Sequence, residues 1–185
     1  MGIPGPMKRR AVFLDRDGVI NRTFVRRGTP HPPASPAELE ILPGVPGALN
    51  ALRARGYSLV VVTNQPDVAR GTSSEAQVDA IHERLRDSLP LDAILACFHD
   101  DADECECRKP RPGLLLRAAR ELRIDLSLSF MIGDRWYDVE AGKRAGCRTV
   151  LVGRGYDEQV AIACDFRVGS LMEAAATIIR ESDSP

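Results

Sequence analysis

The sequence predicts an α/β fold, a parallel β-sheet with helices on both faces. Short, continuous apolar runs recur at strand length, and amphipathic stretches of helical period separate them. Several of the apolar runs end directly in polar clusters, as strands do where a parallel sheet presents its carboxyl ends to a ligand. RAVFLD (10–15) is the first such run and is rich in strand formers. GVPGALNALRARG (44–56) reads as a helix, with Gly56 as its stop. SLVVVTN (58–64) is a second buried strand. Thr72 followed by Glu75 has capping-box spacing and opens SEAQVDAIHERLRDSL (74–89), a helix with Val78, Ile81 and Leu85 on one face. DAILACFH (92–99) is a third strand, and Pro112 suits the first turn of the helix GLLLRAARELRI (113–124). SFMIGD (129–134), RTVLVG (148–153) and DFRVG (165–169) read as further strands, with helices at 136–145 and 170–181.

The chain has 185 residues, 44% hydrophobic and 28% charged, which is the size and composition of one domain with a sizeable core. That domain is expected over 10–181, with 1–9 as a tail whose apolar length is too short for a signal peptide. A net charge of −1 argues against nucleic-acid and acidic-membrane partners. No apolar run approaches the roughly 20 residues that span a bilayer. These features point to a monomer in the cytoplasm. In that reducing compartment the five cysteines are not expected to form a disulfide framework.

The polar clusters carry the chemistry. Asp15 and Asp17 stand two apart at the end of a strand, so both side chains leave on one side and repel unless a cation lies near. A hard ion such as Mg²⁺ takes carboxylate oxygens together with water and substrate phosphate. One carboxylate of such a pair can attack phosphorus, and the other can serve the leaving group as acid and the incoming water as base. Gly18 lets the backbone turn and bring amides to a phosphate. Thr63 offers a hydroxyl and Asn64 an amide to a phosphoryl oxygen, and Lys109 offers the charge that nucleophile and phosphate both need. Asp134 is a third carboxylate for the metal, and Asp138 follows one helical turn later on the same face. The segment 22–43, RTFVRRGTPHPPASPAELEILP, follows the acid pair and is long for a connection, which marks it as functional.

A second metal centre is readable in CFHDDADECECRKP. Cys97-x-His99 and Cys105-x-Cys107 supply three thiolates and one imidazole, the ligand set of a closed, tetrahedral, structural Zn²⁺ site in a loop spanning 97–109. Asp100, Asp101, Asp103, Glu104 and Glu106 make the loop acidic, which speaks against a nucleic-acid finger. Cys107 is followed at once by Arg108 and Lys109, so a pinned loop would hold both cations at the mouth of the site.

FLDRDGVIN, VVVTNQPDVARG, CRKPRPG and MIGDRWYDVEAGKRAG resemble, in this order, the four motifs of the haloacid dehalogenase (HAD) phosphatase superfamily. Within it the chain is most similar to the compact histidinol-phosphate and heptose-bisphosphate phosphatases, over about residues 11 to 170. The resemblance implies a Rossmann-like fold, Mg²⁺ dependence and phosphomonoester hydrolysis, with Asp15 as nucleophile and Asp17 as acid/base. It implies Mg²⁺ ligation by the Asp15 side chain, the Asp17 backbone carbonyl and Asp134. Zinc loops ending in Arg-Lys-Pro are similar too, and by that likeness Arg108 reads the substrate while Lys109 steadies the phosphoryl group. Thr23, Phe24, Val25 and Arg26 fall where heptose phosphatases contact sugar, and Asn64, Gln65 and Pro66 complete the substrate-binding set. Arg26, Arg27, Arg108 and Arg135 are candidates for a second phosphate. No large cap domain is inserted among the motifs, so specificity is expected from 22–43 and 97–112. The expected substrate is a small phosphorylated metabolite, D-glycero-D-manno-heptose 1,7-bisphosphate losing its 7-phosphate. Histidinol phosphate or another sugar phosphate is the enzymatic alternative, and a non-catalytic, zinc-stabilised binding module is the alternative of another class.

Overall fold

The structure is a computed structural model that describes residues 9–26, 29–153 and 163–183, with the backbone alone at 26 and 29. Ala11–Leu14 (β1) is buried along its whole length, as a strand covered on both faces must be. Ser58–Asn64 (β4), Ala93–Cys97 (β5), Phe130–Gly133 (β6), Arg148–Val152 (β7) and Phe166–Val168 (β8) join it in a six-stranded sheet of order β5-β4-β1-β6-β7-β8. Every pairing in that sheet is parallel. Alternate residues serve opposite faces. Val12, Leu14, Leu59, Val61, Phe130 and Ile132 pack with helices Val45–Ala54 (α1) and Leu171–Asp183 (α5) on one side, joined by Leu85 of Glu75–Ser88 (α2). Phe13, Val60, Val62 and Met131 pack on the other with Gly113–Leu122 (α3) and Trp136–Ala145 (α4).

The chain runs outward from β1 through β4 to β5, then crosses back to β6 on the other flank of β1. The order therefore reverses at β1, and a crevice opens beyond its carboxyl end. Gly133 sits where α4 presses on the sheet, and a Cβ there would lie 2.1 Å from the Asp138 Cβ.

Two local expectations give way. Helix α2 is capped by Ser74, not by Thr72, because Ser74 is the residue with extended backbone whose Oγ accepts from Gln77 N. Gln77 returns the bond to Ser74 N, so the capping box is Ser74–Gln77. Thr72 instead belongs to the preceding turn, donating from its N and Oγ1 to Asp67 O. The long segment 22–43 contains a small antiparallel hairpin, Phe24–Arg26 (β2) with Thr29–His31 (β3). Arg22 N donates to Glu40 O, and Asn21 bridges Ile41, so the excursion is closed at its base. Residues 1–8 of the expected tail and Arg27 lie outside the described residues.

Candidate active site

Asp15 follows β1 immediately and is tied to the sheet by its N–H, which donates to Ile132 O at 2.9 Å. Lys109 reaches it from the end of the cysteine-rich loop. Its Nζ is buried and donates to Asp15 Oδ1 at 2.8 Å, Asp138 Oδ1 at 2.6 Å and Val62 O at 2.9 Å. Burial alone would depress the Lys109 pKa, but Asp138 and Asp15 outweigh it and hold the ammonium charged. Asp138, completely buried, sits in the first turn of α4, where its second oxygen accepts from Arg135 N at 3.1 Å. Asp134, directly after β6, closes the group.

Three buried carboxylates, Asp15, Asp134 and Asp138, thus place oxygens within 4.8 Å of one another around a single ammonium. The excess of negative charge is visible in their acidities. Burial, then Asp15 and Asp138, push Asp134 up to about 8. Burial pushes Asp138 up to about 7 against the pull of Lys109. Asp134 Oδ1 is buried without a hydrogen-bond partner. An orphaned carboxylate oxygen beside a second carboxylate is what an oxygen-seeking divalent ion requires, so these residues fit Mg²⁺. Gly18 makes room for the arrangement: its φ is +86°, and a Cβ would meet Asp134 Oδ2 at 2.2 Å.

Asp17 lines the same crevice but answers to another cation. Arg16, fully buried, binds both of its carboxylate oxygens, with Nη2 to Oδ2 at 2.9 Å. Asn21 Nδ2 and Gln65 Nε2 complete the shell at 2.9 and 2.8 Å. Asp15 and Asp17 thus sit in two separate ion pairs, Asp15 with Lys109 and Asp17 with Arg16. Arg16 in turn contacts His82 Nε2 at 3.1 Å, and burial followed by the charge of Arg16 lowers the His82 pKa to about 3.

The remaining candidates are distributed more widely. Thr63 lines the crevice and its Oγ1 accepts from Gln65 Nε2. Asn64 brackets the Lys109 backbone, accepting from its N–H and donating to its carbonyl, both at 3.1 Å. Thr23, Gln65, Pro66 and Arg135 also line this cleft of about 200 Å³. Phe24 and Val25 lie in β2 beyond the lining, with Val25 70% exposed, and of Arg26 only the backbone is described. Arg108 is held by the acidic loop, its Nε donating to Asp101 Oδ1 at 2.7 Å, and it lines a neighbouring cavity. His31, Asp67, Arg70 and Tyr137 line the cleft without having been singled out for it from the sequence. Only Tyr137 had a usable signal, as the neighbour of Asp138. His31 arrives on β3, and Asp67 and Arg70 in a loop held by tertiary contacts such as the Arg70–Asp100 ion pair at 2.7 Å.

Cys97, His99, Cys105 and Cys107 converge as the spacing predicts. The Sγ–Sγ separations are 3.6, 3.0 and 3.4 Å, and His99 Nδ1 lies 3.6 and 3.3 Å from Cys97 and Cys107 Sγ. A tetrahedral zinc with bonds of about 2.3 Å to sulfur needs edges of about 3.7 Å, so the cage is close to the right size and far too wide for a disulfide.

A HAD-hydrolase-like family model matches residues 106–173. A D-glycero-β-D-manno-heptose-1,7-bisphosphate 7-phosphatase of Photorhabdus laumondii is 39% identical over 91% of this chain and 94% of its own length. The chain belongs to the HAD phosphatases. A protein of the same name from Pasteurella multocida is 42% identical over 80% of this chain and 83% of its own. Among solved structures, a D,D-heptose 1,7-bisphosphate phosphatase from B. bronchiseptica, complexed with magnesium and phosphate, matches this HAD phosphatase with a TM-score of 0.81 and 32% identity. It covers 93% of this chain and 99% of its own. Among the described residues, no helix is long and apolar enough to cross a membrane.

Proposed function

We propose that this HAD phosphatase removes the 7-phosphate of D-glycero-D-manno-heptose 1,7-bisphosphate through an aspartyl-phosphate on Asp15. The observation that carries the reading is the buried Lys109, 2.8 Å from Asp15, beside the unpartnered oxygen of Asp134. The names of the relatives supply the substrate.

Asp15 attacks phosphorus, and the bond from phosphorus to the sugar oxygen breaks. Asp17, entering the step protonated, gives that oxygen its proton, and Arg16 pairs with the carboxylate that remains. Asp17 then takes a proton from water as the water oxygen attacks the acyl phosphate, which releases phosphate and restores Asp15. Lys109 donates to Asp15 and offsets charge on the phosphoryl oxygens, and Thr63 donates its hydroxyl to one of them. Mg²⁺, held by the Asp15 carboxylate, the Asp17 carbonyl and Asp134, would supply further charge neutralisation. Asn64, Gln65, Pro66, Thr23 and Arg135 shape the floor and wall around the substrate. In the same reading Zn²⁺ on Cys97, His99, Cys105 and Cys107 is structural, and the chain works as a monomer in the cytoplasm.

The test is phosphate release from the α and β anomers of heptose bisphosphate and from histidinol phosphate, with and without Mg²⁺. Mg²⁺-dependent turnover that disappears in Asp15→Asn is expected, with heptose bisphosphate preferred. A kcat/KM within about tenfold for all three compounds would overturn the substrate, and turnover of none would overturn the enzyme.

A further inference from the structure

Beside the reaction cleft lies a second cavity of about 370 Å³. The two share Asn64, Pro66 and Tyr137 as common wall, so a ligand anchored at Asp15 can extend from one into the other. Arg108 and Trp136 both line the second cavity. Trp136 opens α4 and is 41% exposed, high for the largest apolar side chain. Tyr137 holds it edge to face, with ring centroids 5.9 Å apart and planes at 72°. Arg108 is held by Asp101 through Nε, so the guanidinium is already fixed before a ligand arrives.

We propose that Trp136 is the platform for the distal half of the substrate. The ring of a sugar bisphosphate lays its C–H face on the indole, beside Arg108, to which the family resemblance already gives substrate reading and the second phosphate. An aromatic face carries the negative part of the ring quadrupole, which favours the weakly positive hydrogens of a sugar face. A guanidinium at the edge of such a platform supplies the paired donors that phosphate takes. This subsite rests on the sugar-bisphosphate reading above and adds to it the residue that discriminates a cyclic, doubly phosphorylated compound from a short phosphomonoester.

The experiment uses the fact that Trp136 is the sole tryptophan of the chain. Asp15→Asn protein with Mg²⁺ is titrated with heptose 1,7-bisphosphate, and in parallel with fructose 1,6-bisphosphate and inorganic phosphate, while tryptophan emission is followed. A saturable change with a bisphosphate and none with inorganic phosphate is expected. In steady state, Trp136→Ala should raise KM for the bisphosphate by about three- to tenfold with kcat little changed. Glycerol phosphate, which lacks a ring, should keep its kcat/KM within about twofold in the same variant, and Trp136→Phe should recover most of the loss. The subsite falls if emission is unresponsive at saturating bisphosphate, or if Trp136→Ala affects both substrates alike or neither. Failure of the wild-type protein to hydrolyse heptose bisphosphate while it still hydrolyses glycerol phosphate would instead sink the heptose reading. The fructose 1,6-bisphosphate titration would then still decide the subsite.

Discussion

Gly18 bears two constraints at once. Its φ of +86° is a conformation that residues with a Cβ rarely adopt, and the Cβ of any replacement would lie 2.2 Å from Asp134 Oδ2. Gly18→Ala must therefore displace the Asp134 carboxylate. We expect a loss of about 1–3 kcal/mol in stability and of at least about a hundredfold in kcat. Chemical denaturation and steady-state assays would check it, and a variant with unchanged kcat would show that Asp134 need not stay where it is. The raised pKa of Asp134 gives a second expectation. In the unfolded chain the group ionises at its ordinary value near 3.8, whereas in the fold it keeps its proton up to about 8. Between those values this group binds more proton in the folded protein than in the unfolded one, so its contribution to stability is fully present below about 3.8 and is lost as pH rises through about 8. Urea midpoints in Mg²⁺-free buffer should drop between pH 6 and pH 8, reflecting a fall in unfolding free energy of up to about 1.4 kcal/mol per pH unit for one such group. Asp134→Asn or saturating Mg²⁺ should flatten the trend, and a pH-independent midpoint in the Mg²⁺-free protein would refute the account.

At the scale of elements, the cysteine-rich loop sets the position of Lys109. Cys107 lies in the cage, and Lys109 two residues later is clamped by Asn64 on the backbone and by Asp15 and Asp138 on the side chain. Metal analysis should find one zinc per chain in addition to any magnesium. Cys105→Ser should lose it, lower the thermal midpoint by several degrees and reduce kcat about tenfold or more without removing any group at the reaction centre. Retention of full activity after zinc loss would show that the clamp around Lys109 suffices alone. This loop was legible from its ligands because Cys and His at such spacing have few other uses. The start of α2 was less so: Thr72–Glu75 and Ser74–Gln77 both carry a capping pattern, and the turn made by Asp67 with Thr72 decides between them. The hairpin of Phe24–Arg26 with Thr29–His31 was hidden for a similar reason, since strands of 3 residues leave no periodicity to read.

At the scale of the whole molecule, the strand pattern could be read because each strand of a doubly covered sheet must be apolar on both faces, as VVV of β4 and AVFL of β1 are. The separate ion pairs of Asp15 and Asp17 could not, because the buried Arg16 is also in contact with His82, 66 positions away. One sheet carries both core layers, and its strands contribute alternate residues to each. Neither layer can open without exposing the other, so circular dichroism and tryptophan emission should report one coincident urea transition. Two separated transitions would show that the layers fold apart. The order β5-β4-β1-β6-β7-β8 also places the strand before Asp15 in the middle of the sheet, while the 22–43 excursion lies at the rim. Descendants of such a gene can rewrite the rim, and with it the taste for one metabolite or another, while leaving the chemical engine untouched. Closely related sequences could then diverge in diet without ever passing through an inactive ancestor.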